Sequence, residues 1–256
     1  MAEQQARGTL DDGVVSDTPD PVAHLRVHAR VLPLVAGFLD AVGFLALLRV
    51  FVAHMTGTTV VLGIGLGRGQ WSVLLSSGLA IPFFLLGVLT GLEIDRRCER
   101  RGFARPLAVQ LGAEAALLAI FTGLGVTVFR DSAPETATFG YIVLLFLATS
   151  AMGIQTASLR KVGVLSVHTT FMTGMMTKAI EVADKFVTEP DRRRERRRTI
   201  VFLASVWAIY LFGAAAGAFT LDRIDLWCLA LPVVVLVGLI AWELTRREPA
   251  PAAPPT

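Results

Sequence analysis

Two carboxylates stand inside apolar stretches of this chain, Asp40 and Glu114, and a carboxamide, Gln155, stands inside a third. A charge near a bilayer centre costs roughly 2.5–3.5 kcal/mol on insertion scales, so such a group should face protein or water. Carboxylates so placed suit a proton or cation relay, or a helix-packing hydrogen bond. Two polar knots lie nearby: His54-Met55-Thr56-Gly57-Thr58-Thr59 and His168-Thr169-Thr170-Phe171-Met172-Thr173-Gly174. Their hydroxyls, on Thr56, Thr58, Thr59, Thr169, Thr170 and Thr173, can satisfy backbone groups freed by a helix interruption, or coordinate a solute. Gly57 and Gly174 let the backbone bend there. The imidazoles of His54 and His168 add a hydrogen-bonding or protonatable group to each knot. The candidate substrate or ion contacts are therefore Asp40, His54, Thr56, Gly57, Thr58, Gln155, His168, Thr170, Thr173 and Gly174, with Glu114 secondary because Gln110, one turn away, can pack against it.

These residues need elements that cross a membrane. The chain has 256 residues, 54% hydrophobic and 18% charged, with a mean hydropathy of +0.61. Several runs approach or exceed the ~20 apolar residues that span a bilayer, and the ~10-residue alternation of a transmembrane barrel is absent. The expected class is an all-α polytopic membrane protein. Spans are expected at 31–50, 71–92, 106–129, 139–159, 199–221 and 226–242. Residues 1–29 read as a disordered cytoplasmic tail, 30–243 as one membrane domain, and 244–256 as a Pro/Ala-rich disordered tail.

The formal charge of +3 is segregated. Basic residues flank the N-terminus, the Glu93–Arg105 loop, the Asp191–Arg198 block and the C-terminus, and the other loops are weakly charged. That alternation predicts six spans with both termini in the cytoplasm. It also makes nucleic acid a poor partner. The stretch Arg192–Arg198 offers a secondary contact for anionic lipid headgroups. Cys98 and Cys228 form no CxxC motif, and neither HExxH nor GxSxG occurs, so no catalytic residue, metal or cofactor is expected.

Met55 and Met172, 117 residues apart, align two halves. The GxxxG pairs Gly87/Gly91 and Gly213/Gly217 then correspond, as do Gly37 and Gly153 upstream. Three spans per half is an odd number, so the halves (about 31–129 and 139–243) should have inverted topology. Each would carry an interrupted helix or re-entrant segment at its Met-Thr-Gly motif, and the two motifs should meet or nearly meet. Paired interruptions in matching places are the sequence pointer to a transporter site. A small-solute transporter or permease is the leading expectation. A membrane scaffold or intramembrane enzyme is the rival.

Gly37–Leu47 (GFLDAVGFLAL), Ala53–Gly57 (AHMTG), Met152–Arg160 (MGIQTASLR) and Thr169–Gly174 (TTFMTG) resemble the bacterial YoaK family of multi-pass membrane proteins. The resemblance runs from about Val31 to Trp242 and implies a bacterial inner-membrane protein of six or seven membrane helices with no assigned activity. The family often has Asn where this chain has Thr58, Met175 and Thr156, so a carboxamide role does not transfer to those positions.

Overall fold

The computed structural model describes residues 23–103, 105–128, 138–159, 172–188 and 193–246. They form α1 (Ala23–Ala46), α2 (Met55–Arg68), α3 (Trp71–Arg100), α4 (Pro106–Val128), α5 (Phe139–Leu159), α6 (Met172–Thr188), α7 (Arg193–Ile224) and α8 (Ala230–Thr245). A 3-10 turn, Asp225–Leu229, joins the last two. No strand occurs among the described residues. A helix satisfies its own backbone groups, as a chain in lipid must.

Five helical stretches are long and apolar enough to cross a membrane: Val27–Ala46, Trp71–Arg100, Pro106–Thr127, Phe139–Leu159 and Arg196–Thr245. The last has 50 residues, about 75 Å if straight, against a hydrocarbon core of about 30 Å. It is broken at the 3-10 turn, where Asp225 has φ 51° and its side chain accepts the Leu226 amide at 2.8 Å.

Several boundaries differ from expectation. The first helix begins at Ala23, inside the segment expected as a tail, because His28 and Ala29 are buried; His28 lies 3.7 Å from Glu243 and beside the Trp242 ring. The α3 helix runs on through the expected basic loop to Arg100, supported by Glu93–Arg97 and Glu93–Arg96 pairs one turn apart. From Arg193 onward the second basic block is the first part of α7. The rest of both expected tails lies outside the described residues.

The helices pack in pairs, α1 with α7 and α3 with α5, while α4 lies against α5 and α8. Glycines set both main contacts. A Cβ on Gly213 would lie 2.2 Å from the Leu34 carbonyl oxygen, and one on Gly217 would lie 2.6 Å from that of Phe38. The other pair repeats this: a Cβ on Gly87 would lie 2.2 Å from the Ser150 oxygen, and one on Gly91 would lie 3.3 Å from that of Ile154. Gly37 meets Tyr210 and Ala214, and Gly153 meets Phe84 and Val88. Every partner maps onto its counterpart by the same shift: 116 residues for 34, 37 and 38, and 126 for 84, 87, 88 and 91. In both pairs contact positions increase together, so α1 runs parallel to α7 and α3 to α5.

One end of the bundle gathers charge. The Arg105 guanidinium donates to the carbonyls of Leu244 and Arg246, which ties the start of α4 to the end of α8. Arg30 stacks over Phe202 at 5.6 Å, joining the start of α1 to α7. The ends of α3 and α8 and the starts of α1, α4 and α7 thus share one face, rich in arginine.

Candidate functional site

The chain between α1 and α2 builds a side-chain-lined break. Helix α1 ends in a tight turn in which Leu48 (φ 47°) and Arg49 (φ 64°) both adopt the left-handed region, a costly conformation for side-chain-bearing residues. The chain then doubles back along the last turns of α1, and the Gly43 Cα faces Val52 and the Val50 carbonyl at a distance that leaves no room for a Cβ. Helix α2 restarts at Met55.

Asp40 fastens this return. Its Oδ1 accepts the Ala53 amide at 2.7 Å and the His54 amide at 3.2 Å. Its Oδ2 accepts the Tyr210 hydroxyl of α7 at 2.6 Å. The carboxylate is buried, and it stands where a helix N-terminus concentrates positive potential. Three donors on two oxygens give an anion what it needs in an apolar setting. Two further hydroxyls hold the break: Thr58 Oγ1 donates to the Phe51 carbonyl at 2.6 Å, and Tyr141 of α5 donates to the Leu47 carbonyl at 3.1 Å. Phe51 stacks on Phe44 and meets the His54 ring edge-on. Gly57 is the residue that fits beneath, since a Cβ there would lie 2.9 Å from the Phe51 ring.

The break lies deep in the fold. Gly65 of α2 sits against Val73 and Leu74, and Gly78 against Leu62, so α2 and α3 are antiparallel. Extending that register sets Met55 level with Leu85, midway along the 30 residues of α3.

Of the residues singled out from sequence, Asp40, His54, Gly57 and Thr58 come together here. Thr56 is exposed on the first turn of α2. Gln155 is buried elsewhere: its Nε2 donates to the Leu32 carbonyl at 2.7 Å, two turns of α1 away from Asp40. Glu114 lies on α4, fully buried, with no hydrogen-bond partner on either oxygen among the described residues. Gln110 does not bond to it; its Nε2 donates to the Gly91 carbonyl at 2.9 Å. Thr173 and Gly174 are exposed in the first turn of α6. His168 and Thr170 lie outside the described residues, as does Arg192.

Two expectations change. The interruption was expected within the Met-Thr-Gly motifs, yet both motifs are already helical and open α2 and α6. The first break is the preceding stretch, 47–54, because that stretch carries the left-handed turn and the amides taken by Asp40. Nor do the motifs meet by helix packing: α2 packs along α3 and α6 along α7, with no packed interface between α2 and α6. Sequence reasoning missed Tyr141 and Tyr210. The signal was available, since they are the chain's two tyrosines and a phenol inside an apolar span must find a hydrogen-bond partner.

Comparison with known proteins places the chain in a family. A family model described as "Protein of unknown function (DUF1275)" matches residues 28–242. The UPF0700 transmembrane protein YoaK of Bacillus subtilis (strain 168) is 26% identical over 218 residues, covering 85% of this chain and 93% of that protein. No solved structure matches. With its several membrane-length apolar helices, and with a family match over most of its length, the chain is a multi-pass membrane protein belonging to the DUF1275 family.

Proposed function

We propose that this protein is a small-solute transporter or permease whose working part is the broken α1–α2 crossing. The observation that carries the reading is the break between α1 and α2, fastened by Asp40; read as a crossing interrupted at mid-depth, it is the device by which transporters present backbone and side-chain groups to a solute. The solute would sit on the open side of the break, where the Thr56 side chain is exposed and His54 is half buried. Matching glycine contacts in the α1–α7 and α3–α5 pairs support two inverted repeats. Parallel directions within each pair, and the division of Arg196–Thr245 into α7 and α8, support six crossings. The arginine-rich end would face the cytoplasm of an inner membrane, both termini with it, and Arg193–Arg198 would meet anionic lipid headgroups.

A thermal-shift screen of the purified protein against amino acids, sugars, nucleobases, carboxylates and inorganic ions tests the reading. It is followed by flux of each stabilising solute in proteoliposomes. The expected result is a solute that both stabilises and crosses, with stabilisation lost in Thr56→Val and flux lost in Asp40→Asn. A stabilising solute that never crosses would contradict transport. That outcome favours a membrane scaffold, the reading to which the full donor saturation of Asp40 lends weight.

A further inference from the structure

We propose that Glu114 is the proton-binding site of this bundle, and that Asp40 is a fixed structural anion; as a coupling site, Glu114 rests on the transport reading above. The two carboxyls lie at similar depth. Gln110 is level with Gly91 through its hydrogen bond, so Glu114, one turn further along α4, is level with about Gly87, close to the level of the break at Met55. Their surroundings are opposite. Asp40 holds three donors. Glu114 has none on either oxygen among the described residues, and its side chain is fully buried.

Among the described residues, no charge on an element packed against α4 compensates Glu114. The elements against α4 are α5, α8, α3 and the 3-10 turn. Helix α5 carries no charged residue, and its titratable side chain, Tyr141, is committed to Leu47. The charged residue of α8 is Glu243, at its far end beside His28 and Arg246. Every charge on α3 falls between Glu93 and Arg100, at the arginine-rich end. The 3-10 turn offers Asp225, bonded to the Leu226 amide, and the buried thiol of Cys228. On α4 itself Glu114 is the one charged residue. An isolated anion is not sustained in such a place, whereas the neutral acid is tolerated. A group that is neutral when protonated, and unsupported when not, can give up its proton only when the helices around it move or water enters. That is what proton coupling to a conformational change requires.

Infrared spectroscopy of the intact protein in lipid nanodiscs tests this without knowledge of the solute. At pH 7 the wild type should show the carbonyl stretch of a buried carboxylic acid, shifted in deuterium oxide. The band should disappear in Glu114→Gln and persist in Asp40→Asn. Absence of the band, or its loss with Asp40→Asn and retention in Glu114→Gln, overturns the proposal. If Glu114→Gln does not fold, dicyclohexylcarbodiimide serves on the wild type, with the modified peptide identified by mass spectrometry. Adduct at Glu114 that falls as pH is raised supports the site, and adduct at Asp40 instead overturns it. Neither readout depends on flux, so a failed transport assay and a failed proton site are told apart.

Discussion

At the scale of single residues, Asp40 was legible in the sequence because a charge in an apolar span announces itself. Its role was not, because its partners lie 13, 14 and 170 residues away. Folding turns a candidate relay into an anchor. Asp40→Ala should therefore destabilise the protein by about 3 kcal/mol or more, since two amides and a phenol lose their acceptor at once. Tyr210→Phe should cost only about 1 kcal/mol, as it removes one donor. Melts in detergent, with the double variant less damaging than the sum, check the pairing; strict additivity would break it. Arg49 makes the opposite prediction. Its side chain is exposed while its backbone is left-handed, so Arg49→Gly should stabilise by about 1 kcal/mol in the same melts.

At the scale of elements, the membrane helices were readable from hydropathy, and Phe139–Leu159 was expected at the bounds observed. The break was not readable in detail. Threonine and glycine drew attention to Met55-Thr56-Gly57, but Leu48 and Arg49 give no local sign of a left-handed turn, which the closing contacts around them impose. The paired GxxxG motifs were more informative, because close helix approach needs small residues. Gly213→Ala and Gly87→Ala should each cost about 1–3 kcal/mol by forcing helices apart. Gly63→Ala and Gly67→Ala on α2 have nothing within 4 Å and should be neutral or stabilising by up to about 1 kcal/mol. Equal effects at the two kinds of site would mean that these glycines do not set the packing.

At the scale of the whole molecule, charge segregation pointed to one arginine-rich end, and the described residues gather Arg30, Arg105 and Arg246 there through contacts. Depth was the unreadable part, since it follows from the register of α2 on α3. If the protein is the transporter proposed above, the break between α1 and α2 should open to each side of the membrane in turn. Thr56 reports on it directly. In a background with Cys98 and Cys228 replaced by serine, Thr56→Cys is treated with a membrane-impermeant maleimide, in right-side-out and then in inverted vesicles. Modification from both sides is the result expected of a transporter that alternates around the break. Modification from one side alone, or from neither, would contradict it.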